Sequence, residues 1–277
     1  MSAHIPSLPL SNGASIPQIG LGTSPLTDSE VTDAIVLAVE AGYRHIDTAV
    51  KYGNEKGVGE GIRRSGISRD ELFLTTKLDG AYQGADRAIQ GLDESLERLG
   101  VDHVDLLLIH WPLPQRDEFI STWKTFEKLH EQGKATSIGV SNFKPAHLDR
   151  LLAEATVPPV INQIQLSPQI VREEQRAYGA AHGILTEAWS PISAGDDLLS
   201  APVLATIGER YGKTPAQVVL RWHVQLGNVA IPKSTNRDRL AQNIDVFDFE
   251  LTESDMADIA TLSKGPDAGV DSDVSGH

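Results

Sequence analysis

The sequence predicts an α/β protein, a single (β/α)8 barrel carrying an N-terminal β-hairpin and two further helices at its C-terminal end. Three observations carry this. Eight short apolar segments alternate with helical patterns along the chain. No Pro-, Gly- or Ser-rich linker divides the sequence into halves. No strand-to-helix turn carries G-x-G-x-x-G, as the rival doubly wound sheet would require. The nearest match, Gly57-Val-Gly-Glu-Gly61, lies inside a helical pattern, where small residues serve close helix packing or a flexible entry turn. A length of 277 residues suits one barrel domain spanning 1–277.

The elements follow in order. Ser7–Ile16 alternates around Asn12-Gly13, a type I′ hairpin signal. The eight strand segments are Gln18–Gly22, Tyr43–Asp47, Leu72–Lys77, Val104–His110, Thr136–Val140, Val160–Gln165, Ile184–Ala188 and Val229–Ile231. Between them, Ser29–Ala41 follows a capping box of Thr27 and Glu30. Further helical patterns span Glu55–Arg64, Ala85–Leu99, Glu118–Glu131, Pro145–Ala155, Arg172–His182 and Thr214–Leu226. The last of these opens on Thr214-Pro215, an N-cap with proline at the first helical position. Asp238–Phe247 and Glu253–Leu262 are the two helices beyond the eighth strand. The rest, 265–277, is rich in Gly, Asp and Ser and reads as a mobile tail.

Composition narrows function. The chain has no cysteine, which excludes disulfides, thiolate nucleophiles and thiolate metal sites. Its 24 basic and 38 acidic residues leave a charge of −14, which disfavours nucleic acid and anionic membranes as partners. No apolar run, Leu106–Ile109 included, is long enough to span a bilayer, and Met1–Leu10 has no signal-peptide pattern. A cytoplasmic protein is the expectation. No His-x-His pair occurs, so a metal-dependent barrel hydrolase is disfavoured and no metal is expected.

Barrel chemistry sits where strands end. Asp47, Lys77 and His110 fall at three such ends, followed by Trp111. Taken singly, each has another reading: a helix cap or ion pair for the aspartate, a solvated rim charge for the lysine, a satisfied core histidine. Their convergence on one rim favours chemistry. Tyr52 lies five residues beyond Asp47, where it either packs on the next helix start or leans into the rim. A nearby ammonium would favour its phenolate and lower its pKa.

Gly42-Tyr-Arg-His-Ile-Asp-Thr-Ala49, Tyr52-Gly-Asn-Glu55, Thr75-Thr-Lys77, Ile109-His-Trp-Pro112, Ser137-Ile-Gly-Val-Ser-Asn-Phe143, Asn162-Gln163 and Ile231-Pro-Lys-Ser234 resemble the aldo-keto reductase superfamily in order and spacing. Lys213–Trp222 and Asn243–Phe249 look most like its bacterial 2,5-diketo-D-gluconate reductase branch. The resemblance implies a monomeric NADPH-dependent oxidoreductase that reduces aldehyde or ketone carbonyls: small aldehydes, α-dicarbonyls or keto sugars such as 2,5-diketogluconate. It implies a catalytic tetrad of Asp47, Tyr52, Lys77 and His110, with Tyr52 as general acid, its pKa depressed by Lys77, and His110 orienting the carbonyl.

By the same resemblance, Ser141, Asn142 and Gln163 would hold the nicotinamide carboxamide, and Trp189 would stack on its ring. Thr23 and Asp47 would lie by the ribose, and Ser190 would begin the loop over the pyrophosphate. Lys233, Ser234, Thr235, Arg239, Gln242 and Asn243 would bind the adenosine 2′-phosphate and adenine. Read without the resemblance, Lys233 and Arg239 form a solvated helix face. His110, Trp111 and Asp79 would border the substrate. The sequence departs from the family at Asp79, where tryptophan is frequent, at Gln165 and Ser167, and at Lys51. The tail also lacks the aromatic residues that could wall the pocket. A redox-sensing regulatory subunit with this fold is the second reading.

Overall fold

In the computed structural model, which describes residues 5–193 and 197–277, the chain folds into a closed parallel barrel ringed by helices. The hairpin strands are β1 (Ser7–Pro9) and β2 (Ser15–Pro17), paired antiparallel with Leu8 opposite Ile16. Its turn differs from the expected type I′. Leu10 N donates to Ala14 O and Gly13 N to Leu10 O, enclosing the three residues Ser11–Gly13. Only Gly13 is left-handed (φ 88°), and Asn12 is not. A three-residue loop needs positive φ at its last position alone. Asn12 Nδ2 instead donates to Thr136 O and Ser137 Oγ, which fastens the hairpin to the barrel. Leu10 and Ile16 pack there on Phe73, Leu106, Leu108, Val160, Ile161 and Val229.

The barrel strands are β3 (Leu21–Gly22), β4 (His45–Asp47), β5 (Phe73–Leu78), β6 (Val104–Ile109), β7 (Ala135–Ser141), β8 (Ile161–Gln165), β9 (Leu185–Trp189) and β10 (Val229–Ala230). Each pairs in parallel with the next. The ring closes where Ile19 bridges Ala230, Gly20 N donates to Ala230 O at 2.9 Å and Gly22 N to Pro232 O at 3.1 Å. All eight lie within a few residues of the predicted segments.

The helices are α1 (Asp28–Ala41), α2 (Glu55–Ser65), α3 (Ala85–Leu99), α4 (Phe119–Glu131), α5 (Pro145–Glu154), α6 (Glu173–Ala181), α7 (Pro202–Tyr211), α8 (Pro215–Gln225), α9 (Arg237–Ile244) and α10 (Glu253–Ala260). The capping boxes expected at Thr27 and Thr214 both form. Helix α2 crosses α1 at backbone distance. A Cβ on Gly57 would stand 2.4 Å from Asp28 O, so only glycine permits that approach. The motif Gly57–Gly61 is thus a packing surface.

Helix α7 had no counterpart in the sequence reading. Its signal was present all the same, as Pro202 at the first helical position and Gly212 as a left-handed C-cap. Helix α9 packs toward α1, with Tyr43 Oη donating to Leu240 O, and α10 docks on α7 through Asp255, which accepts from Arg210 and Tyr211.

Candidate active site

The carboxyl ends of the strands open into one cavity of about 640 Å³. At its floor, Asp47 ends β4 and Lys77 projects from β5, both essentially sealed from solvent. Lys77 Nζ donates to Asp47 Oδ1 at 2.5 Å, to Thr48 O at 3.0 Å and to Tyr52 Oη at 3.4 Å. An ammonium has three donors, and all three are engaged. Tyr52 sits in a 3-10 turn, Val50–Tyr52, directly after β4. Its ring meets that of His110 edge-on, with centroids 5.8 Å apart.

The turn that carries Tyr52 is held from behind. Buried Asn54 donates to Thr23 O and Leu26 O and accepts from Thr48 Oγ1. Buried Glu55 accepts from Thr76 Oγ1 at 2.6 Å and from Arg98 Nε at 2.8 Å. The run Tyr52-Gly-Asn-Glu55 is therefore a rim tyrosine followed by the two residues that fix its loop.

Electrostatics sets the protonation states. Burial raises the Tyr52 phenol above its ordinary value, and Lys77 pulls it back down only in part. The direction expected for Lys77 is present, but burial exceeds it, so Tyr52 holds its proton at neutral pH. Burial likewise lifts the Asp47 carboxyl against the pull of Lys77. Burial works against the Lys77 ammonium, yet Lys77 is held above the usual amine range, with Asp47 its strongest partner. Burial holds His110 well below the usual imidazole range, and the charges of Lys77 and Lys51 add to it. Its ring is neutral, and its buried Nδ1 has no hydrogen-bond partner among the described residues.

Along the cavity wall lie Thr23, Ser141, Asn142, Gln163, Trp189, Ser190, Lys233 and Arg239. Asn142, left-handed at φ 64°, donates to His110 O and Ser141 Oγ and accepts from Trp189 Nε1 at 2.9 Å. Gln163 Nε2 donates to both Asp47 Oδ2 and Glu187 Oε2, each at 2.8 Å. Lys233 and Arg239 are exposed at the mouth, and neither enters an ion pair among the described residues. Ser234, Thr235, Gln242 and Asn243 stand behind them on the β10–α9 connection and on α9, off the cavity wall. Ser234 and Asn243 are buried, whereas Thr235 and Gln242 are exposed.

Two sequence expectations change at the substrate end. Asp79 does not line the cavity. Its Oδ1 accepts from Ala81 N at 2.9 Å, capping the 3-10 turn Gly80–Tyr82. The pocket also gains a ring from the tail. Residue 277 folds back so that His277 O accepts from Gly80 N, and its imidazole lies 4.8 Å from that of His110 and 6.0 Å from Trp111. Lys144 Nζ bonds Asp271 and Asp273 at 2.5 Å each, and His147 reaches Asp273 at 2.9 Å. Gln165, one of the departures, accepts from Val270 N. Trp111 is on the cavity wall as expected, and Lys51 is exposed beside it, close enough to act on His110 and His277.

The sequence assigns no role to Glu187, His45 or His277, although His45 and Glu187 both stand among the polar residues at strand ends that share one rim.

The chain belongs to the aldo/keto reductase family, whose profile matches residues 16–264. An aldo-keto reductase of Mycolicibacterium smegmatis is 49% identical over 266 residues, 96% of each chain. A putative methylglyoxal reductase of Salmonella typhi is 44% identical over 268 residues, 96% of this chain and 97% of that one. The crystal structure of a Bombyx mori aldo-keto reductase in complex with NADP superposes with a TM-score of 0.87 at 38% identity, covering 94% of this chain and 93% of that one. The protein is an NADP-dependent oxidoreductase acting on carbonyl substrates, so the regulatory-subunit reading falls away.

The cavity fits the cofactor. It runs from the Tyr52–His110 floor to Lys233 and Arg239 at its mouth, two cations without ion-pair partners among the described residues, and the Trp189 indole and a set of amide groups lie between. NADPH supplies the hydride when bound.

Proposed function

We propose that this reductase acts on small aldehydes, α-dicarbonyls and keto sugars, with Tyr52 delivering the proton to the carbonyl oxygen. The observation that carries the reading is Lys77 Nζ bridging Asp47 and the Tyr52 hydroxyl beneath an open cavity. As negative charge gathers on the substrate oxygen, a preset donor there stabilises it without reorganisation. Tyr52 is that donor, and it arrives protonated. As the proton leaves, the phenolate forms beside an ammonium that Asp47 holds in place.

Neutral His110 offers one N–H to the same oxygen and orients it. Trp111 and His277 border the cavity on that side and leave room for small or hydroxylated carbonyls. In this reading, Ser141, Asn142 and Gln163 hold the carboxamide, Trp189 faces the nicotinamide ring, and Thr23 and Asp47 lie by the ribose. Ser190 begins the pyrophosphate loop. Lys233, Ser234, Thr235, Arg239, Gln242 and Asn243 form the 2′-phosphate and adenosine end. A monomer in the cytoplasm, with 1–277 as one domain, belongs to the same reading.

The test is NADPH oxidation measured across a panel of small aldehydes, α-dicarbonyls, keto sugars, keto acids and bulky aromatic ketones. The expected result is highest kcat/KM on the first three classes. Preference for bulky aromatic ketones would overturn the substrate assignment.

A further inference from the structure

The barrel interior holds a second buried carboxyl that the proton-transfer set above does not use. Glu187 projects from β9 and is fully buried. Its Oε2 accepts from Gln163 Nε2 at 2.8 Å, and that same amide nitrogen donates to Asp47 Oδ2 at 2.8 Å. One amide thus bridges two carboxyls. Among the described residues Glu187 Oε1 has no hydrogen-bond partner, and His45 Nε2 stands 3.6 Å away. That distance is beyond a hydrogen bond.

Counting charge decides what Glu187 is. The titratable groups facing it are His45 and Asp47 from β4, Lys77 from β5 and Tyr52 from the turn after β4; β8 contributes the neutral Gln163. Lys77 is the one cation among them, and its three donors go to Asp47, Thr48 and Tyr52. His45 is fully buried beside Lys77 and stays neutral, held down to about 3 chiefly by burial. An ionised Glu187 would have no counter-ion of its own, and a buried carboxylate in that position takes up a proton. Burial and the neighbouring Asp47 together push Glu187 up to about 8.

We propose that Glu187 is a positioning residue, held as a neutral carboxylic acid, that fixes the Gln163 amide and through it keeps Asp47 on Lys77. The inference rests on the reading of Tyr52 as the acid. With Glu187 neutral, the negative charge beside Lys77 is Asp47 alone, and the ammonium acts undiminished on Tyr52. When Glu187 ionises, a second anion enters the same interior. It strengthens the hold of Tyr52 on its proton, opposing Lys77. Carbonyl reduction therefore has an alkaline limb set by Glu187.

The experiment compares wild type, Glu187→Gln and Glu187→Ala, reading kcat for NADPH-dependent carbonyl reduction against pH. In wild type kcat falls through an alkaline limb near pH 8. Glu187→Gln cannot ionise, so that limb should move upward or vanish. Glu187→Ala leaves a Gln163 hydrogen without an acceptor and should lower kcat at pH 7 by about tenfold to a hundredfold, with Gln restoring most of the loss. Infrared spectra of the holoenzyme should show a buried carboxylic-acid C=O band at pH 7 that is absent in Glu187→Gln.

A Glu187→Gln profile that superimposes on wild type would overturn the proposal. So would the absence of the infrared band, which reads protonation without reference to turnover. Tyr52→Phe measured alongside separates the two ideas. Retained turnover in that variant would sink the general-acid reading while the infrared band still reported on Glu187.

Discussion

Replacing Lys77 with methionine keeps an unbranched side chain one atom shorter and deletes its charge. Lys77 and Asp47 are 0% and 1% exposed and 2.5 Å apart, so the change strands a carboxylate in the barrel. Removing one partner of a buried pair costs about 3–5 kcal/mol, most of it from the uncompensated charge. Unfolding entropy of about 2.1 cal/mol/K per residue gives roughly 0.6 kcal/mol/K for 277 residues. The expected fall in Tm is therefore about 5–9 °C. The loss should depend on pH. Asp47 already lies above its ordinary carboxyl value because it is buried, and without Lys77 it rises further. A carboxyl raised in the folded state weighs on stability at high pH, and the burden is relieved as pH falls through that value.

Calorimetry at pH 8 and pH 5 should thus show the larger deficit at pH 8. The double variant Asp47→Asn/Lys77→Met, in which the asparagine oxygen still accepts from Gln163, should recover most of the stability and none of the turnover. A Lys77→Met deficit under about 1 kcal/mol, or a double variant as unstable as the single one, would refute the buried-pair reasoning.

Three further outcomes are expected. Arg239→Ala should weaken NADPH binding by about 10–100-fold, one charge-assisted bond, and leave NADH binding nearly unaltered; equal losses measured by tryptophan quenching would remove Arg239 from the phosphate site. Lys144→Ala cuts two exposed ion pairs to the tail. Exposed pairs of this kind contribute little, so this should raise KM for the carbonyl by no more than about tenfold, without a matching change in NADPH affinity; an effect confined to NADPH would disconnect the tail from the substrate end. His223 is buried and lowered to about 4 from 6.5, so the stability of its neutral form is complete above 6.5 and lost as pH falls toward 4. His223→Gln should flatten that acid arm by about 2 kcal/mol, read from urea unfolding at pH 7 and pH 4.5.

Local rules made most of the barrel legible. Caps at Thr27 and Thr214, and strands of two to seven residues bounded by polar ends, are written in neighbouring residues. Asp47, Lys77 and His110 were visible because barrel strands point their ends to one rim. What escaped depends on distant parts of the chain. Asp79 reads as a pocket residue until Ala81 N is seen to occupy it. The tail looks unstructured by composition, yet Asp271 and Asp273 meet Lys144, more than a hundred residues earlier. The carboxyl of Glu187 has no meaning until β4, β5 and β8 close around it. The direction of the Tyr52 shift was likewise a balance: the sign of the Lys77 contribution followed from chemistry, but burial, which exceeds it, needed the folded chain.

The central claim is that Tyr52 transfers the proton. The most direct measurement is single-turnover NADPH oxidation by Tyr52→Phe with a saturating aldehyde, beside NADPH binding by the same variant. Lys77 keeps its bonds to Asp47 and Thr48 in that variant, so the site stays assembled. The account predicts a rate lower by about 10²–10⁴-fold with NADPH affinity within about threefold of wild type. A variant that retained more than about a tenth of the wild-type rate would contradict it.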